Sequence, residues 1–233
     1  MNHIPYEKSK IQSQFFHSKL QWCFGFSVIF LTGCSLFVMA GKMIYGDPKV
    51  TCAFTKQTGV NLAEERKKVV VLCTFPELSR GEYSSVGADI VENVTLRLKR
   101  EGIVVVKSKK VYDWLDDRNG IWSDPDELAE AFDADYIVHI DLEEFTHRAD
   151  NSPGMYQGRT VGNVYAYKIV ENEDGEKRAD SVLASEFKSV YPPNNPVSVS
   201  KKSENTFLRE YVDRISEQLA QYFYNHTVSS TIF

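Results

Sequence analysis

The spacing of apolar and polar residues predicts alternating strands and a helix from residue 69 onward. Residues 69–75 form a continuous apolar, β-branched run, which is typical of a strand covered on both faces. The next segment predicts a helix from Ser84 or Ser85 to Gly102, because apolar residues recur there at every fourth position: Val86, Ile90, Val94 and Leu98. A short strand over residues 103–106 follows. This strand, helix, strand order favours a right-handed parallel crossover.

The second half of the chain predicts antiparallel strands that are closed by a helix. A short helix is predicted over residues 108–115, and Asp124-Pro125-Asp126-Glu127 has the cap, proline and acids typical of a helix start. Strands are predicted over residues 136–145, 157–170 and 181–191, with a turn at Glu173-Asp174-Gly175 and a last amphipathic helix over 204–224. We therefore predict an α/β fold with a mixed sheet: one parallel βαβ unit, then an antiparallel meander, with helices mainly on one face.

The same pattern predicts the domain boundaries. Residues 1–40 form a signal peptide or membrane anchor, and residues 41–68 show no sustained periodicity, which favours a linker. Residues 69–226 form a single α/β domain, and residues 227–233 form a tail.

A long apolar segment near the amino terminus predicts contact with a membrane. No charged residue occurs from Trp22 to Ala40, and this length is enough for a helix to cross a bilayer. Lys8, Lys10 and Lys19 precede the segment. Because positive residues flank the cytoplasmic end of such segments, we expect the rest of the chain to be translocated.

Within this segment, Leu31-Thr32-Gly33-Cys34 resembles the lipobox of bacterial lipoproteins. The resemblance implies that Cys34 carries the lipid and becomes the first residue after cleavage. The alternative is an uncleaved, single-pass signal anchor over residues 22–40. Either attachment, through lipid or through the amino-terminal helix, holds the domain at the cell membrane on the periplasmic side.

Composition and charge exclude several classes of function. A chain with 42% hydrophobic and 12% aromatic residues predicts a packed core. A net charge of -5 argues against nucleic-acid binding, which needs a basic surface. Only Cys52 and Cys73 lie beyond the apolar segment, too few for a disulfide framework. We expect no cofactor, because the sequence lacks a dinucleotide-binding loop, a Walker A motif, a nucleophile elbow and a His-Glu-x-x-His motif.

The best candidate for chemistry is the strand that contains His139, Asp141, Glu143 and His147. Alternation would place these four side chains on one face, where imidazoles and carboxylates could bind a metal. However, eight residues of regular strand span about 26 Å, too far for both histidines to touch one ion. A half-exposed strand explains the same pattern. We therefore predict no catalytic residue and no metal ligand.

Residues 151–156 supply a second candidate, because Pro153 and Gly154 are typical of a turn between strands. We identify Asn151, Pro153, Gly154 and Tyr156 as a candidate interaction loop.

Two stretches carry a resemblance to known proteins: CSLFVMAGKM at 34–43 with GDP at 46–48, and DADYIVHID at 133–141 with NSPGMY at 151–156. They resemble an uncharacterised lipoprotein family of planctomycete bacteria, which implies a location and no activity. The order of elements is similar to periplasmic domains of the TolB amino-terminal, LpoB and CsgG type, which implies an interaction protein. We therefore expect a membrane-anchored, non-enzymatic cell-envelope protein that acts by contacts with other envelope components, envelope proteins above all. The alternative is an exported metal-dependent or acid–base enzyme that uses His139, Asp141 and Glu143.

Overall fold

The described part of the chain covers most of the predicted domain and the end of the predicted linker. The computed structural model describes residues 49–75, 84–118, 122, 124–150 and 152–227. The predicted leader, Cys34 and Asn151 therefore lie outside the described residues. None of the helices within these ranges is long and apolar enough to cross a membrane.

Eight strands and five helices are described. The strands are β1 (Lys49–Val50), β2 (Lys68–Thr74), β3 (Val104–Val105), β4 (Tyr136–Ala149), β5 (Ser152–Glu171), β6 (Lys177–Tyr191), β7 (Val197–Ser198) and β8 (His226–Thr227). The helices are α1 (Ala53–Thr58), α2 (Ser84–Arg100), α3 (Ser108–Asp116), α4 (Pro125–Ala131) and α5 (Glu204–Ala220).

The main sheet is mixed, as predicted. Its strand order is β3-β2-β4-β5-β6, with β7 paired to β5, while β1 and β8 form a separate two-stranded sheet. Strand β2 runs parallel to both β3 and β4. Strands β4, β5 and β6 are antiparallel, and the β5–β6 turn contains Gly175 at a positive φ of 84°. Glycine adopts this left-handed backbone without strain.

The two long helices, α2 and α5, pack on one face of the sheet. The predicted apolar stripe of α2 is buried there, with Ile90, Val94 and Leu98 each at 0% exposure. Arg97 joins the two helices: its Nε donates to Glu217 at 2.7 Å and its Nη2 donates to Asp213 at 2.6 Å.

The short helices α3 and α4 lie over the other face of the sheet, and Asp126 of α4 accepts a hydrogen bond from Ala179 N of β6 at 2.6 Å. Val111 of α3 and Leu128 of α4 form a second core with Val70, Leu72 and Ile137. Helix α4 begins as predicted, because the Asp124 side chain accepts a hydrogen bond from Asp126 N and Pro125 opens the helix. Strand β2 is therefore covered on both faces, as its continuous apolar run predicted.

The predicted linker needs correction from residue 49 onward. Cys52, Phe54 and Leu62 are buried in the main core at 0–1% exposure, and the Phe54 ring meets Tyr136 edge-on at 5.2 Å between centroids. These isolated apolar residues form no periodic pattern, so only their tertiary contacts identify them as core. Residues 49–226 belong to one compact unit.

Strand β4 changes faces at an irregularity around Glu143. Leu142 pairs with Gly162 and Glu144 pairs with Val161, so Glu143 is an extra residue in the strand. Before it, His139 and Asp141 lie on the face away from α2 and α5. After it, the odd-numbered residues Phe145 and His147 are buried, at 4% and 5% exposure. The prediction that His147 shares a face with His139 is therefore wrong, because the extra residue reverses the alternation.

Strands β4 and β5 are also longer than predicted. Ala149 pairs with Ser152, so the connection between them is short and Pro153, Gly154 and Tyr156 lie in β5 rather than in a loop. The Pro-Gly sequence is typical of turns, but proline is also tolerated near the start of a strand. The loop assignment of these three residues is thus corrected.

Candidate functional site

A cleft opens at the end of β2, on the face of the sheet away from α2 and α5. Thr74, the last residue of β2, lies beside Asp141 of β4 in the parallel register. The cleft has a volume of about 510 Å³. We call it the His139 cleft, and it is lined by Thr74, Phe75, Trp122, Pro125, His139, Asp141, Leu142, Glu143, Tyr165 and Tyr167. Ligands of α/β proteins bind preferentially at the carboxyl ends of parallel strands, where this cleft lies.

A chain of hydrogen bonds crosses the floor of the cleft. The Thr74 hydroxyl donates to Asp141 Oδ1 at 2.8 Å, and His139 Nε2 lies 2.8 Å from the same hydroxyl oxygen. A hydroxyl has a single proton, and here it is donated in the hydrogen bond to the Asp141 carboxylate. His139 must therefore donate from Nε2, which fixes its tautomer and ring orientation.

Burial keeps His139 neutral. Desolvation lowers its pKa from 6.5 to about 4, although the Asp141 carboxylate acts in the opposite direction. At neutral pH the imidazole is therefore an uncharged donor that orients Thr74 and adds no positive charge to the cleft.

Aromatic rings form one wall of the cleft. The Trp122 ring centroid lies 4.4 Å from that of His139, and His139 stacks on Tyr165 at 5.7 Å. Tyr167 continues the row at 6.3 Å from Tyr165. Burial first, then Tyr165 and the carboxylates of Asp141 and Asp124, raise the pKa of Tyr167. Its hydroxyl stays protonated, and the local potential is negative.

Carboxylates dominate the charge of the cleft. Asp141 is half-buried on the floor, whereas Glu143 is exposed at the rim, where Asn163 Nδ2 donates to Glu143 Oε1 at 2.7 Å. The described residues that line the cleft include no lysine and no arginine. Lys188, near Glu143, is paired with Glu186 at 2.9 Å.

The structure brings together three of the four residues that alternation had singled out. His139 and Asp141 share Thr74, and Glu143 lies at the rim of the same cleft. His147 instead contacts the first turn of α5, where its Nε2 lies 2.7 Å from Glu204 Oε1. Among the described residues, no group of three or more His, Cys, Asp or Glu side chains is arranged to hold a metal ion.

Four of the cleft residues that the sequence analysis did not assign to a site contact His139 directly or through Tyr165: Thr74, Trp122, Tyr165 and Tyr167. Tyr165 and Tyr167 stand two positions apart in a predicted strand, so alternation could have placed them on one face. Thr74 ends a predicted parallel strand, which is a position where functional residues collect. Trp122 lies between predicted helices and carries no such signal.

The described residues of the candidate interaction loop form no hydrogen bond with the described residues that line the His139 cleft. Tyr156 is buried and stacks on Phe207 at 5.1 Å between centroids. Pro153 and Gly154 are exposed, and their carbonyl oxygens accept hydrogen bonds from Arg148 and Val199. Of these three residues, Pro153 and Gly154 are the ones accessible to a partner.

Comparison with known proteins gives distant similarities. No protein-family model and no curated protein matches the chain. Among solved structures, a dodecameric PelC variant from Paraburkholderia phytofirmans has a TM-score of 0.41 at 12% identity, covering 76% of this chain and 97% of that chain. A lipoprotein from Neisseria meningitidis has a TM-score of 0.34 at 16% identity, covering 66% and 96%. A hypothetical protein from Chlamydia trachomatis has a TM-score of 0.34 at 14% identity, covering 66% and 98%. These similarities assign no family, and the resemblance to planctomycete lipoproteins stays a prediction.

Proposed function

We propose that this chain is a membrane-anchored, non-enzymatic protein of the cell envelope that binds another envelope component at the His139 cleft. The apolar leader and the lipobox residue Cys34 support attachment by a lipid, with the domain on the periplasmic side. An uncleaved anchor would leave the domain on the same side.

The hydrogen bonding of Thr74 is the observation that favours binding over catalysis. The Thr74 hydroxyl donates to Asp141 and its oxygen accepts from His139, so the pair in which a histidine takes the proton of a hydroxyl nucleophile is not formed at Thr74. The polar groups on the floor thus hold one another in place and form a fixed surface against which a ligand can pack.

The shape of the cleft supports the same proposal. A volume of about 510 Å³ lies within the range of small-ligand sites, which combine apolar walls with a few oriented polar groups. Trp122 and Tyr165 lie on either side of His139, with Tyr165 stacked on its ring, while Asp141 and Glu143 supply acceptors. The rings are held by packing, so their ordering on binding costs little entropy.

Crosslinking from a single position tests this proposal. Ala184 is exposed on β6 and pairs with Tyr165, so its side chain points to the same face beside the cleft. A photo-reactive residue at position 184 of the full chain, expressed in a bacterium and irradiated in intact cells, should capture an envelope component. The same residue at position 96 is the control, because Leu96 is 44% exposed on α2. Equal products from both positions, or none from 184 in membrane-located protein, would contradict the proposal.

A further inference from the structure

We infer that the ligand of the His139 cleft is a small organic cation that presents a primary ammonium group. This inference rests on the proposed function and names the chemical class of the ligand for the same site. Three features of the cleft carry it: its charge, its ring faces and its hydrogen-bond acceptors.

The charge of the lining favours a cation. Asp141 and Glu143 contribute two carboxylates, and His139 is neutral at physiological pH. Lys188 lies near Glu143 outside the lining, but its ammonium is paired with Glu186 at 2.9 Å. An anionic ligand would meet uncompensated repulsion there, whereas a cation would be attracted by both carboxylates.

The ring faces strengthen this preference. Trp122 and Tyr165 stand on either side of His139, Tyr167 stands beside Tyr165, and all three rings line the cleft. The face of an aromatic ring carries negative charge density and attracts an ammonium group, most strongly for tryptophan. Rings and carboxylates together are the combination that binds organic cations, because each contributes attraction of the same sign.

The acceptors select a primary ammonium. Asp141 Oδ1 is already bonded to Thr74, and Glu143 Oε1 is bonded to Asn163. Neither second carboxylate oxygen has a hydrogen-bond partner among the described residues, so both are available as acceptors. A primary ammonium carries three N–H donors and can form charge-assisted bonds to these oxygens. A quaternary ammonium has no donor and can form none.

Isothermal titration of the full chain in nonionic detergent at low salt tests the inference. The probe is butane-1,4-diamine, and butane-1,4-diol is its neutral counterpart of similar size. The diamine should bind with saturation and the diol should not. D141N and E143Q should each weaken diamine binding by about tenfold, and W122A by about fivefold. E173Q removes the same charge from the exposed β5–β6 turn and should bind the diamine within about twofold of the parent chain.

Several outcomes would overturn the ammonium assignment. Equal binding of diol and diamine would show that charge is not recognised, and equal weakening by D141N and E173Q would place the effect outside the cleft. Binding of a neutral hexose that is lost in W122A, without diamine binding, would assign a different ligand class. Thermal melting of each variant establishes that it is folded. If crosslinking from position 184 succeeds while the diamine does not bind, the proposed binding function is supported and the assignment of an ammonium ligand is wrong.

Discussion

Gly162 packs directly against the backbone of Asp141, so that a Cβ atom on Gly162 would overlap the carbonyl oxygen of Asp141. The same atom would lie 2.9 Å from the Cα atom of Leu142. This close approach occurs at the point where Glu143 is inserted into β4. A glycine on the partner strand thus allows the bulge that separates the cleft residues His139 and Asp141 from the buried Phe145 and His147.

Gly162→Ala should therefore destabilise the domain by about 2 to 3 kcal/mol, because backbone atoms cannot move aside as a flexible side chain can. Chemical denaturation followed by circular dichroism measures the change. Gly154→Ala is the matched control on the same strand, since no atom lies within 4 Å of its added Cβ. A difference of less than about 0.5 kcal/mol between the two variants would contradict the role assigned to Gly162.

Stability should fall at acid pH because His139 is buried in its neutral form. Its pKa is lowered from 6.5 to about 4 by desolvation, so the unfolded chain binds a proton more readily than the folded chain. The contribution of neutral His139 to the free energy of unfolding is fully present above pH 6.5 and is lost as the pH falls toward 4. A shift of this size corresponds to roughly 3 kcal/mol.

The measurement for His139 is a comparison of unfolding free energies between pH 7 and pH 4 with His139→Gln. This variant keeps a side-chain amide that can donate to Thr74 but has no group that titrates in this range. The unfolding free energy of this variant should change less between pH 7 and pH 4 than that of the parent chain. Parallel curves for the two proteins would show that His139 is not the group responsible.

Charged substitutions should distinguish the inner and outer faces of α2. Ile90→Asp should destabilise the domain by about 3 kcal/mol or more, since Ile90 is at 0% exposure and a carboxylate there would be buried without a partner. Leu96→Asp, on the exposed side of the same helix, should change the unfolding free energy by less than about 0.5 kcal/mol. Similar thermal melts for both variants would mean that the inner face is assigned wrongly.

Lipid attachment should depend on Cys34 alone. Labelled palmitate should be incorporated into the parent chain and into Cys23→Ser but not into Cys34→Ser, because Gln21 and Trp22 offer no small residues before Cys23. Mass spectrometry gives an independent measurement. A chain that keeps Met1 and carries no lipid at Cys34 would favour the uncleaved anchor instead.

Periodic elements were predictable and the cleft was predictable only in part. The stripe of α2, the covered strand β2 and the capped start of α4 each depend on residues close in sequence, so the pattern identifies them. His139 and Asp141 were placed on one face by alternation for the same reason.

Features that depend on distant residues escaped prediction. Thr74 meets His139 and Asp141 across 65 and 67 positions. In the sequence Phe54 is an isolated apolar residue in a polar segment. In the fold its ring contacts those of Tyr136 and Phe223. The change of face at His147 depends on the bulge at Glu143, which requires Gly162 on the partner strand. Alternation along β4 alone could not predict it.

Because Glu143 is an extra residue in β4, the face on which odd-numbered residues lie changes at this position. Odd-numbered residues face the cleft before this point, and odd-numbered residues face α5 after it. Glu143 has no partner of its own on β5, so deleting it would leave a regular strand in which Leu142 and Phe145 still face the helices and Arg148 still faces outward. The middle of this strand should therefore tolerate the loss of one residue during evolution, at the expense of the carboxylate at the rim of the cleft.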